Sequence, residues 1–98
     1  MSRSVFVHEA AEAEINEAAD FYDIESPGLG SAFVDEIDRA IQHVSEFPSA
    51  APATGVHVRK KALVRFPYSL LYSVTGDEIR VLAIAHQKRR PFYWRGRR

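Results

Sequence analysis

Cysteine is absent from the 98-residue chain, which rules out a disulfide framework, a thiol nucleophile and cysteine-ligated zinc. The histidines, His8, His43, His57 and His86, show no ligand-like spacing with one another, so neither a metal centre nor a cofactor is expected. Long hydrophobic runs are missing as well. The longest uninterrupted apolar stretch, Val81-Leu82-Ala83-Ile84-Ala85, is far short of the ~20 residues a membrane helix needs. The leading residues, Met1 to Val7, hold nothing long enough for a signal peptide. These absences predict a soluble, cytoplasmic protein with no membrane partner.

Charge of one sign is scarce in each half. Residues 1–50 carry only two basic side chains, Arg3 and Arg39, against eleven acidic ones, a sum of −9. Residues 51–98 carry only two acidic side chains, Asp77 and Glu78, against eleven basic ones, a sum of +9. The net charge of zero therefore conceals a strong asymmetry. A basic field raises the local concentration of counter-charge and speeds association, so the second half points to an acidic or polyanionic partner.

The length and an apolar content of 46% fit one globular domain spanning 1–98. Within it, Arg95, Arg97 and Arg98 read as a frayed, solvated basic tail over 95–98. Ser4–Val7 reads as a first strand. From Glu9 to Glu25, Ala11, Ile15, Ala18 and Tyr22 recur at helical spacing. His8 is a weak start signal, although Glu9 and Glu12 suit the positive end of the helix dipole. The carboxylates of Glu9, Glu12, Glu14, Glu17, Asp20 and Asp23 read as a solvated helix face. Ser26-Pro27-Gly28-Leu29-Gly30 breaks this helix and opens another, with Ser26 as cap and Pro27 in the first turn. Leu29, Phe33, Ile37, Ala40, Ile41 and Val44 form the apolar stripe of the second helix, which ends near Pro48. Ser49–Gly55 reads as a loop. Strand periodicity follows over Val56–Leu63, Tyr68–Val74 and Glu78–His86, with Thr75-Gly76-Asp77 as a hairpin turn. The expected fold is α+β in the order β-α-α-β-β-β, an antiparallel sheet with a two-helix hairpin on one face. The opposite sheet face and the C-terminal tail are left for the basic groups.

Two segments carry the chemistry. One is Arg65-Phe66-Pro67-Tyr68; the other runs from His86 through Lys88, Arg89, Arg90, Pro91, Phe92, Tyr93 and Trp94. Guanidinium groups beside aromatics suit phosphate or carboxylate recognition and stacking. Tyr93 and Trp94 are either a contact patch for a partner or rings folded back onto the sheet. Arg59 and Lys61 share one face of their strand, taken as the exposed one, while Lys60 points the other way. Plain edge protection is the alternative role for these cations. His86 is either an acid–base group or a strand-end histidine bonded to backbone.

Taken with the helical hairpin, five pieces in order resemble the RelE/ParE superfamily of type II toxin–antitoxin toxins, the plasmid-stabilisation proteins. They are Ala11…Glu14-Ile15…Ala18…Phe21-Tyr22; Pro27-Gly28-Leu29-Gly30…Phe33; Arg65-Phe66-Pro67-Tyr68; Val81-Leu82-Ala83-Ile84-Ala85-His86; and Arg89…Tyr93-Trp94. The resemblance covers Phe6 to Trp94. It implies one of two activities. RelE-like members cut messenger RNA on the ribosome without a metal, which here would use Arg65, His86 and Tyr93. ParE-like members bind DNA gyrase and inhibit growth. Against the RelE pattern the chain keeps Tyr93 and the basic Arg59, Lys60 and Lys61, but Ser69 and Gln87 stand where that pattern carries arginine. A neutral side chain cannot stabilise developing phosphorane charge as a guanidinium does.

The resemblance thus implies a ParE-like toxin, neutralised in a heteromeric complex by a cognate antitoxin. That antitoxin's disordered C-terminal segment would fold along the hairpin. Target-binding residues are expected to be Arg59, Lys61, Arg65, Arg89, Arg90, Tyr93 and Trp94. A non-toxic binding module of the same fold is the third reading.

Overall fold

Residues 3–98 are described in the computed structural model. The elements are β1 (Ser4–Val7), α1 (Glu9–Glu25), α2 (Leu29–Glu46), β2 (Ala53–Gly55), β3 (Val58–Ala62), β4 (Tyr68–Thr75) and β5 (Glu78–His86). The expected order holds, with one short strand added. Ser49–Gly55 is not loop throughout: Ala53 pairs with Arg59 and Gly55 with Val58, giving β2. Ala-Thr-Gly carries little strand propensity, so this pairing rests on backbone hydrogen bonds rather than side-chain pattern.

Helix α1 starts at the residue that looked weakest. The His8 Nδ1 accepts from the Ala10 amide at 3.0 Å, doing the work of a Ser or Asp cap. Ser26 does not cap α2; its own N–H donates to the Tyr22 carbonyl and closes α1. The α2 amide of Gly30 is instead satisfied by the Asp23 Oδ1 at 2.8 Å, from the last turn of α1. Close helix approach makes this possible. A Cβ at Gly30 would strike the Ala19 carbonyl oxygen and the Asp23 carboxylate. Gly28, at φ +88°, turns the chain between the helices.

The sheet order is β1-β5-β4-β3-β2. It is antiparallel except at one edge, where β1 runs parallel to β5; the two are joined through both helices and three strands rather than by a hairpin. Helices α1 and α2 cover one face. Phe33, Ile37, Val44, Leu70, Tyr72, Ile79, Val81 and Ile84 are fully buried between hairpin and sheet. Tyr22, Phe33, Phe66 and Tyr68 pack as an aromatic cluster at the same layer, with centroids 5.0–5.3 Å apart for the tightest pairs. The opposite face carries a smaller apolar cluster of Val58, Leu71, Leu82, Ala83 and Trp94. The chain after β5 therefore folds back across the uncovered side of the sheet.

Candidate functional site

Strand alternation decides which cations reach the uncovered face. Directly paired residues share a face. Lys60 pairs with Leu71, and Leu71 with Ala83, so Lys60 lies on the uncovered side. Arg59 pairs with the buried Tyr72, and Lys61 with the buried Leu70, so both lie on the helix side. The expectation that Arg59 and Lys61 share a face is met, but that face is the covered one. Parity within β3 was readable from the sequence; which parity faced the helices depended on its register against β4.

Arg59 is used structurally. Its guanidinium donates to the carbonyls of Ala51 at 2.6 Å and Ser49 at 3.3 Å, clipping the α2–β2 connection to the sheet. Lys61 and Arg65 line a groove of about 300 Å³ beside α2, with Glu36, Arg39, Ala40 and His43 opposite. The buried Glu36 Oε2 accepts from the Val64 and Arg65 amides at 2.6 and 3.1 Å, fixing the loop that presents an exposed Arg65.

The other expected residues converge. Arg89, Arg90, Tyr93, Trp94 and His86 line a cavity of about 140 Å³ on the uncovered face, together with Lys60, Ser69 and Gln87. No carboxylate lines it. Lys60, Arg89 and Arg90 make it an anion-attracting recess. Ser69 and Gln87, which the resemblance sets against arginines of the RelE pattern, both lie in this wall. Lys60 was not among the target-binding residues expected.

Within the cavity the groups are committed to defined partners. Trp94 is only 8% exposed, packed on Val58, Leu71, Leu82 and Ala83. Of its two readings the structure has the ring folded back onto the sheet, and an outward contact role for Trp94 is corrected accordingly. Tyr93 is half-buried, and its hydroxyl donates to the Ile84 carbonyl at 3.4 Å. The Arg89 guanidinium stacks 3.9 Å from the Tyr93 ring centroid, and that of Arg97 lies 5.0 Å from it. Burial, then the Glu14 carboxylate as an acceptor and as a like charge, hold the Tyr93 phenol well above the ordinary tyrosine range, outweighing Arg89 and Arg97. A phenol so held is a hydrogen-bond donor and a poor base. The His86 Nδ1 accepts from the Lys88 amide at 3.1 Å, and the ring meets Tyr68 edge-on at 5.1 Å. The backbone-bonded reading of His86 is met in this contact.

Two further expectations change here. Arg97 is not part of a frayed tail; its side chain is 17% exposed and forms a two-point pair with Glu14 at 2.9 and 3.2 Å. Glu14 correspondingly leaves the solvated acidic face, with its side chain 13% exposed. Helical spacing alone grouped it with the other carboxylates. Among the described residues no group of three or more His, Cys, Asp or Glu is placed to hold a metal ion, and no helix is long and apolar enough to cross a membrane.

The fold has counterparts among known proteins. A solved structure of the chromosomal ParDE toxin–antitoxin system from P. aeruginosa superposes with a TM-score of 0.76. The two share 24% identity over 87% of this chain and 96% of that one, a likeness of fold. No curated protein matches the sequence. The family model for the ParE toxin of the type II toxin–antitoxin system parDE, however, matches residues 5–91, from the first strand to the cavity wall. The chain therefore belongs to the ParE toxin family of type II toxin–antitoxin systems.

Proposed function

We propose that this ParE-type toxin inhibits growth in the cytoplasm by binding DNA gyrase through the uncovered sheet face. The observation that carries this reading is the cavity wall. It gathers Lys60, Arg89 and Arg90 with no carboxylate, yet has serine and glutamine where the nuclease pattern places guanidiniums. Such a wall binds an acidic surface well. It lacks the charge density a phosphoryl transition state requires. Tyr93, donating to backbone and held protonated, adds no base.

Neutralisation falls to the other side of the molecule. The groove beside α2 has Arg39, His43, Lys61 and Arg65, with the buried Glu36, around the apolar side chains of Ala40 and Leu63. Phe21 and Ile24 on α1 are 55% and 83% exposed. An antitoxin segment that folds on binding would lay its apolar face on these positions and its carboxylates on that rim.

The test is a supercoiling assay with purified gyrase and toxin, run beside a cell-free translation reaction with the messenger mapped. The expected result is loss of supercoiling, with cleaved DNA trapped on the enzyme and the messenger intact. Lys60→Glu and Arg90→Glu should each weaken inhibition. Unaltered supercoiling together with messenger cut in the ribosome would overturn the proposal in favour of the nuclease. A toxin inert in both assays, and harmless on induced expression, would leave only a binding module.

A further inference from the structure

β1 stops pairing with β5 at Val7–Val81, and the His8 amide donates to the Val81 carbonyl at 2.8 Å. The β5 edge beyond that point has no neighbouring strand, and an unpaired edge is a liability. Side chains complete it. The Leu82 carbonyl accepts from the Arg97 Nη1 at 3.0 Å. The Ile84 amide donates to the Glu14 Oε1 at 3.1 Å. The Ile84 carbonyl accepts from the Tyr93 hydroxyl.

Glu14 is the common point. Its carboxylate takes the Ile84 amide and both Nη atoms of Arg97, a residue 83 positions away in sequence, and the Arg89 Nη1 stands 3.9 Å from its Oε2. The Arg89 and Arg97 guanidiniums both lie against Tyr93. A two-point guanidinium–carboxylate pair fixes orientation as well as distance. Neither neighbouring carboxylate of the helix face makes such contacts.

We propose that Glu14 is the positioning residue of the target-facing segment: one carboxylate on α1 fixes the path of residues 89–97 over the sheet edge. This rests on reading that segment as the target-binding wall, but the assignment is testable without any target. Glu14 itself lies outside the cavity, which it shapes through Arg89 and Tyr93. Because it sits on a helix of the hairpin, Glu14 ties that helix to the segment that crosses the opposite face.

The experiment uses Trp94, the only tryptophan in the chain. Its ring is shielded only while the C-terminal segment stays docked. In Glu14→Ala and in Arg97→Ala, at neutral pH, Trp94 emission should shift to the red and acrylamide quenching should rise several-fold. Far-UV circular dichroism should keep the parent helix content. The double variant should quench no more than either single one, since both remove the same pair. Glu14→Gln, which keeps the shape and one acceptor, should fall between parent and Glu14→Ala. Arg97→Ala alters only the tail and keeps the test valid if Glu14→Ala fails to fold. Parent-like emission and quenching in Arg97→Ala would overturn the assignment. So would additive exposure in the double variant. A negative gyrase assay bears on the target and leaves this readout standing.

Discussion

Two kinds of buried polar group make testable contributions to the stability of this small domain: a carboxylate and the phenols. Glu36 is 8% exposed; one oxygen takes two consecutive loop amides and the other, Oε1, is buried with no partner. Glu36→Ala should strand those amides and cost about 1–3 kcal/mol, seen as a lower urea midpoint with unchanged slope. Glu36→Gln keeps an acceptor for the loop and should cost less. All four tyrosines are held above their ordinary value of 10.0, each chiefly by burial. The sign follows from linkage: a proton held more tightly in the folded state stabilises it fully below the unfolded value. That contribution is lost as pH rises through the folded values. Stability should thus be flat with respect to these groups below about pH 10 and fall above it. Denaturation midpoints taken from pH 8 to 12, with tyrosinate absorbance followed in parallel, measure this. Neither Glu14 nor Glu36 was legible in advance, because a carboxylate in an amphipathic pattern looks solvated until its tertiary partner is placed. That Arg89, Arg90 and Tyr93 lie together, by contrast, was legible from guanidinium–aromatic clustering in the chain.

Elements were legible wherever a side-chain period carried them. The stripe Phe33-Ile37-Ala40-Val44 marked α2, and the apolar run from Val81 to Ala85 marked β5, since burying those faces is what stabilises each element. β2 escaped because its three residues bond through backbone. The Asp23 cap on Gly30 escaped because it joins two helices rather than residues within one. At Gly30 the two helices approach too closely to admit a side chain. Gly30→Ala should force the helices apart at a cost of about 1–3 kcal/mol, the usual range for overpacking, measured as a drop in melting temperature with helix content retained. Strand alternation yields a sharper contrast. Lys60 and Lys61 are neighbours in sequence but lie on opposite faces of β3. Lys60→Glu should weaken gyrase inhibition and spare antitoxin binding, whereas Lys61→Glu should do the reverse. Equal effects of the two on either partner would contradict the separation of the two surfaces.

At the scale of the molecule, the opposed charges of the two halves are only partly cancelled by pairing. Among the described residues, contacts between basic second-half and acidic first-half side chains within 4.0 Å all involve Glu14. Lys60, Arg65, Lys88, Arg90, Arg95 and Arg98 remain exposed. The segregation read from sequence therefore survives folding as surface field, although the strand pleat divides the cations between two sides. A field of this kind acts on encounter more than on the docked state. Raising ionic strength from about 0.01 to 0.15 M shortens the screening length from roughly 30 to 8 Å. The association rate with an acidic partner should fall steeply over that range, while dissociation changes little. Arg90→Glu should lower the association rate with the target and flatten its salt dependence; Arg39→Glu, on the helix side, should act in the same way on the antitoxin alone. Surface-immobilised partner and stopped-flow measurements across that salt series separate the two rates. A dissociation rate that carries most of the salt effect would mean the cations are desolvated contacts rather than a steering field.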